Sequence, residues 1–234
     1  MRDAYTMKNP NTTPDYNKEN ASSYDNQRSK LAPIKDALHL GMQIILSHLP
    51  IRAEILCVGV GTGAELIFLA QKFPQWRFTA VEPASAMLKI CREKVEECGV
   101  MSRCTFHEGY LNTLPESGNF DAATSILVSH FIIDVEARKK YFAEIATRLR
   151  PGAYMINADL AFDMSSSDYK RALDVWVTMH DYAGMPVYVD SFGRNVALLP
   201  TEKVESIIKS SGFDSSVLFY QLLFIHAWFS QVKQ

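Results

Sequence analysis

No apolar run in the 234 residues approaches the ~18–20 needed to cross a bilayer, so a membrane-spanning role is not expected. The segment Met1 to Tyr24 is polar and rich in Asn, Thr and Lys. It lacks the apolar core of an export signal, and a cytoplasmic location is the expectation. Charge of either sign is not in excess: 24 basic against 26 acidic residues give a net −2 and a pI near 6.3. The strong positive field that phosphate neutralisation draws on is missing, which argues against a nucleic-acid partner. Arg138, Lys139, Lys140, Arg148 and Arg150 fall on one predicted helix and read as a solvated face. The four cysteines, Cys57, Cys91, Cys98 and Cys104, form no Cys-x-x-Cys pair and have no histidine at a zinc-ligand spacing. No metal is expected, and the thiols read as reduced. Cys91 and Cys98, seven apart on an apolar helix face, read as small buried hydrophobes.

What the chain does have is apolar content of 47 % with 21 % charge, ordinary for a globular protein and enough for one full core. Ile34, Leu38, Ile45 and Leu49 predict an amphipathic helix over 33–49. Strands are predicted at Ile55–Val58, Arg77–Val81, Arg103–His107, Phe120–Ile126 and Tyr154–Ala158. Helices alternate with them, carrying Ala64–Ala70, Met87–Cys98 and Tyr141–Leu149, the last ended by Pro151-Gly152. Such alternation implies βαβ crossovers and a mainly parallel sheet. The alternation then stops. Tyr169, Leu173, Trp176 and His180 share a helical face, 184–199 has no period, and a helix over Thr201–Ser210 stops at Gly212. Ser216–Gln221 and Phe224–Ser230 lie too close for a helical crossover and must pair antiparallel. The expectation is a doubly wound, mainly parallel seven-stranded α/β sheet with a C-terminal antiparallel hairpin. Residues 51–234 would form the main domain, preceded by a segment 1–50 and interrupted by an insertion at 160–199.

The first predicted strand runs directly into Gly59-Val60-Gly61-Thr62-Gly63 and then a helix. The turn exposes unpaired N–H groups at a helix N-terminus, and the glycines let a ligand approach the backbone. At the carboxyl edge of the first strand, such a loop builds a nucleoside site in doubly wound sheets. Glu82 lies 19 residues beyond Gly63, at the end of the next strand, where a carboxylate can accept from both ribose hydroxyls. Gly59 to Ala64 also fits a dinucleotide fingerprint, so an NAD(P)-dependent oxidoreductase is the competing reading. Against it stand the ~50 residues before the first strand, the lack of a second βαβαβ half, and the terminal hairpin.

Together these residues resemble the Rossmann-like S-adenosylmethionine-dependent methyltransferases. Ile55 to Gly63 is similar to their glycine-rich motif, and Glu82-Pro83-Ala84-Ser85-Ala86-Met87-Leu88 to their ribose-binding motif. Phe120-Asp121, Leu149-Arg150-Pro151-Gly152-Ala153 and the terminal Gly212-Phe213 also match. The resemblance implies S-adenosylmethionine as cofactor, S-adenosylhomocysteine as product, and Gly59, Val60, Gly61, Thr62, Gly63, Glu82 and Pro83 around the nucleoside, with Met87 packed on adenine. Ala21 to Arg28 resembles a lid in small-molecule members, with Tyr24 and Arg28 contacting cofactor or acceptor. Two positions depart from the family. Cys57 stands where an acid often helps hold the methionine amino group, leaving backbone carbonyls near Gly59 or Ser125 to do so. Tyr110 stands where an Asp commonly takes the adenine amino group, so that Glu108 or backbone of the Glu108-Gly109-Tyr110-Leu111 turn would substitute. The C-terminal third distantly resembles carboxy-S-adenosylmethionine synthase relatives, but no arginine lies nearer than Arg194 to the position by Val189-Asp190 where they bind the extra carboxylate. Ordinary S-adenosylmethionine is expected.

Methyl transfer needs a general base only when the acceptor must lose a proton. His130, just past the fourth strand, is the candidate, though a packing histidine would look the same. Phe162, Tyr169, Trp176, His180, Tyr182, Tyr188 and Phe192 in the insertion suit a cap over a small, partly apolar acceptor. A non-catalytic S-adenosylmethionine-binding protein is the alternative of a different class. The aromatics of the final hairpin leave a homodimer open.

Overall fold

The computed structural model describes residues 29–115 and 119–234. Tyr24, Arg28 and the lid expected around them lie outside the described residues. Seven strands form one sheet in the order β3-β2-β1-β4-β5-β7-β6. They are β1 (Glu54–Val58), β2 (Arg77–Glu82), β3 (Cys104–Glu108), β4 (Phe120–Ile126), β5 (Leu149–Leu160), β6 (Phe213–Leu222) and β7 (Ile225–Val232). The first five run parallel, whereas β7 pairs antiparallel with both β5 and β6. Six α-helices accompany them: α1 (Ala32–Leu46), α2 (Ala64–Lys72), α3 (Ser85–Glu97), α4 (Val135–Arg148), α5 (Tyr169–Ala183) and α6 (Thr201–Lys209). The doubly wound sheet with its terminal hairpin is the one expected.

Alternation along the strands divides the core in two. Ile55 and Cys57 of β1 face one side, packing with Leu38, Met42, Leu66, Leu69, Leu88 and Val95 of α1–α3. Leu56 and Val58 face the other, with Phe142 and Ile145 of α4 and Ile207 and Ile208 of α6. α1 reaches the far edge of the sheet. An added Cβ at its Gly41 would sit 2.7 Å from Phe219 of β6, and Tyr220 donates to the Ile34 carbonyl at 3.1 Å.

Three expectations are corrected. β5 begins at Leu149 rather than after Pro151-Gly152, because the pair is absorbed as a bulge: β4 advances from Phe120 to Ala122 while β5 advances from Leu149 to Tyr154. The basic run is not a solvated face. Arg138 is fully buried, and Arg148 donates to the Leu111, Leu114 and Pro115 carbonyls and to Glu144. Arg150 is a β5 residue paired with Asp121. Cys98, at the C-cap of α3, is exposed, while Cys91 is buried as expected.

The aromatics of the insertion pack mostly on one another. Phe162, Trp176 and Phe192 lie 5.2–5.6 Å from the ring of Phe224, in the β6–β7 turn, and Tyr169 lies at 6.0 Å. They form a third core over the carboxyl end of β5. Tyr182 and Tyr188 stay exposed.

Candidate functional site

Strand order reverses between β1 and β4, the crevice where ligands bind in open α/β sheets. The β1–α2 loop fills its rim. The Gly59 and Val60 N–H groups donate to the Val81 carbonyl at 2.8 and 3.1 Å, tying the loop to the end of β2. Gly59, Gly61 and Gly63 all have positive φ, at 68°, 55° and 85°. Their surroundings differ. A Cβ at Gly59 would meet Val128 Cγ2 at 2.5 Å, and one at Gly63 would meet Cys91 Sγ at 2.7 Å, whereas one at Gly61 would meet nothing within 4 Å. The first and last glycines permit packing; the middle one leaves open space above the backbone.

Glu82, 7 % exposed, turns its carboxylate onto this loop. Its Oε2 accepts from the Gly61 N–H and its Oε1 from the Ala84 N–H, both at 2.9 Å. Burial raises its pKa, while those two N–H donors oppose the rise. Pro83 is exposed beside it, and Met87, five residues on, and Leu111, after β3, are buried. Glu82 pairs in register with Glu108, and its carbonyl accepts from the Gly109 N–H at 3.1 Å. Glu108 and Tyr110 are exposed on the rim. Thr62 and Val60 are buried within the loop. Ser125 is fully buried, and its hydroxyl is hydrogen-bonded to Tyr141 Oη at 2.8 Å. The residues expected around a nucleoside therefore converge on one edge, with open backbone, a carboxylate and apolar walls. That donor set fits S-adenosylmethionine.

The other wall is the turn after β4. Leu127 has φ 60°, a conformation costing of order 1–3 kcal/mol for a non-glycine residue. It carries Val128 against Gly59 and leads into His130, which is 3 % exposed. His130 Nδ1 lies 3.0 Å from Asp159 Oδ1, which also accepts from the His130 backbone N–H at 2.9 Å. Asp159 Oδ2 accepts from Ser129, from Arg138 Nη2 at 2.9 Å and from Asn157 Nδ2 at 2.9 Å. Burial would push the Asp159 carboxyl up, but Arg138 with the His130 and Ser129 donors holds it well below the usual range. Facing an ionised carboxylate, Nδ1 must carry the imidazole proton. In the neutral ring the lone pair is then on Nε2.

Sequence reasoning missed Asp159, Arg138 and Asn157. The available signal was two polar residues, Asn157 and Asp159, alternating within an apolar strand. It also missed Glu65, in the first turn of α2 and only 6 % exposed. Among the described residues no three His, Cys, Asp or Glu side chains cluster as a metal site, and no helix is long and apolar enough to cross a membrane.

Residues 55–152 match the family described as methyltransferase domain. Over that stretch the chain is similar to methyltransferase domains. The seven-stranded sheet likewise has the fold of solved methyltransferase structures. A fatty-acid O-methyltransferase of Mycolicibacterium smegmatis is 28 % identical over 121 residues, 51 % of this chain and 42 % of that protein. The biotin biosynthesis bifunctional protein BioHC of Teredinibacter turnerae is 25 % identical over 179 residues, 71 % of this chain and 28 % of that one. In fold, the chain is similar to the S-adenosylmethionine-dependent methyltransferase SibL. The TM-score is 0.68 at 15 % identity, covering 95 % of this chain and 60 % of SibL. The chain spans less than half the length of the curated relatives it matches.

Proposed function

We propose that this methyltransferase domain moves the methyl group of S-adenosylmethionine onto a hydroxyl oxygen of a small, partly apolar acceptor in the cytoplasm. The observation that carries the cofactor assignment is the open Gly61 backbone bound to the buried Glu82 carboxylate at the β1/β4 switch point. Glu82 would accept from the ribose hydroxyls, and Met87 and Leu111 would wall the adenine. Glu108 and the Gly109–Tyr110 backbone would meet its amino group, and Ser125 would offer its carbonyl. Tyr24 and Arg28 would close over the site from the preceding segment, and residues 160–199 would cap the acceptor.

Bound S-adenosylmethionine supplies an electrophilic methyl on a sulfonium, whose departure as a thioether needs no acid. The protein's part is to hold acceptor oxygen, methyl carbon and sulfur in line. As the oxygen–carbon bond forms and the carbon–sulfur bond breaks, the hydroxyl proton must leave. His130 Nε2 is proposed to take it, with Asp159 holding the ring's tautomer and orientation through Nδ1. A hydroxyl is favoured because a base so oriented has no task for an acceptor that carries no proton to lose.

Calorimetric titration with S-adenosylhomocysteine and with NAD tests the cofactor assignment. Binding of the former, lost in Glu82→Ala, is the expected result; binding of NAD alone would overturn it and restore the oxidoreductase reading. For the base, His130→Asn should keep S-adenosylhomocysteine affinity and lose turnover on any hydroxyl acceptor that the parent methylates. Unchanged turnover would remove His130 from the reaction.

A further inference from the structure

A buried carboxyl beside the glycine loop has no cationic partner among the described residues. Glu65 is the second residue of α2, two beyond Gly63, and is 6 % exposed. Among the described residues, no side chain donates to it and no Lys, Arg or His pairs with it. Among the described residues, the ionisable groups coupled to it are two thiols and a carboxylate. The Cys57 thiol of β1 feels its charge, as does the Cys91 thiol of α3, and the Glu82 carboxylate at the end of β2 repels it. Cys91 in turn abuts Gly63. Glu65 therefore lies among β1, β2 and α3, directly under the loop where the nucleoside is expected. An unpaired carboxyl so deeply buried is costly to keep. The positive end of the α2 dipole and its own backbone N–H offset only part of that cost.

S-adenosylmethionine brings two positive charges into this crevice, a sulfonium and an ammonium, and S-adenosylhomocysteine brings the ammonium alone. Glu82 is committed to backbone N–H groups and to the ribose. Cys57 is a neutral thiol, held well above the ordinary thiol range first by burial and then by Glu65. We infer that Glu65 is the anionic partner of the aminoacyl ammonium of the S-adenosyl ligand, a role that the sequence left to backbone carbonyls. The inference rests on the methyltransferase reading above.

It has a consequence in protons. Burial pushes the Glu65 carboxyl up to about 8 against the pull of its own N–H, with Glu82 adding to the rise. At pH 7 it is protonated in the free protein, and an ammonium seated against it would draw the proton off. Binding of S-adenosylhomocysteine should then release about one proton per site.

The experiment is calorimetric titration of the whole chain at pH 7 in two buffers of different ionisation enthalpy. The ligands are S-adenosylhomocysteine and 5′-methylthioadenosine, which keeps the nucleoside but lacks the aminoacyl tail. The parent should release about one proton with the first and none with the second. Glu65→Gln should abolish the release and weaken S-adenosylhomocysteine tenfold or more, leaving methylthioadenosine affinity unchanged. Placing the acid back on β1, as Cys57→Asp in the Glu65→Gln background, should recover part of the lost affinity. Proton release from the parent with both ligands, or from neither, overturns the inference without needing a folded variant. Equal weakening of both ligands in Glu65→Gln also overturns it, by showing a purely structural role. Failure of the parent to bind either compound overturns the methyltransferase reading instead.

Discussion

Two buried carboxyls of opposite behaviour mark this protein at the level of single residues. Asp159 is fully buried with Arg138 against it, and its carboxyl is held low. A depressed carboxyl contributes stability that is complete above its unfolded value near 4 and is lost as pH falls toward the folded value. Arg138→Met leaves Asp159 buried without its counter-charge, a change that typically costs about 3–5 kcal/mol. The variant should melt roughly 10 °C below the parent at pH 7, and the gap should narrow as pH falls below about 4. A gap that persists unchanged in acid would show that Arg138 contributes through packing alone. Glu65 has the opposite sign. Its folded value near 8 exceeds the unfolded one, so stability is complete below about 4.5 and is lost as pH rises through 8. At 1.36 kcal/mol per pKa unit the loss is of the order of 5 kcal/mol. In the ligand-free protein Glu65→Gln should therefore match the parent at pH 4.5 and exceed it in denaturant midpoint at pH 9. Parallel pH profiles would contradict this.

At the scale of elements, the three glycines of the β1–α2 loop divide the work of folding from that of binding. Gly61→Ala places a methyl group in open space, and its cost to the fold is the left-handed φ alone, roughly 1–2 kcal/mol. Gly59→Ala adds a collision with Val128 at 2.5 Å. Thermal unfolding should show Gly61→Ala only slightly destabilised but deaf to S-adenosylhomocysteine, and Gly59→Ala destabilised well beyond it. A Gly61→Ala protein that still binds would place the ligand away from this loop. These elements were also the legible ones. β1, β2, β4, α2 and α3 fall within a few residues of expectation, because each buries one face and its apolar spacing records that face. What escaped depends on contacts distant in the chain. Pro151-Gly152 signals a break locally, yet β4 captures Leu149 on one side of it and Tyr154 on the other. Arg138 reads as a solvated helix residue until Asp159, 21 residues on, is seen to hold it. Glu65, in the first turn of a helix, looks like an ordinary complement to the dipole, and nothing local tells that β1, β2 and α3 close around it.

For the whole molecule, the sheet order limits what the crevice can hold. Beyond β5 a second nucleotide-binding half would need further parallel strands. That edge is instead taken by β7 and β6, running antiparallel, with the Phe224 cluster over the carboxyl end of β5. Among the described residues the crevice at the β1/β4 switch point remains, and the proposed ligand, a single nucleoside with a short charged tail, suits it. A ligand that binds only the folded chain stabilises it by about 2.7 kcal/mol at a hundred times its Kd. For a chain of this size that is roughly 5–11 °C in Tm. S-adenosylhomocysteine at saturating concentration should produce a shift of that size, and NAD at the same concentration none. The shift should disappear in Glu82→Ala, because the ribose would lose its acceptor and the Gly61 and Ala84 N–H groups would lose theirs. An equal shift from NAD would mean that the crevice accepts a second nucleotide despite the antiparallel edge, and that sheet order does not limit the ligand.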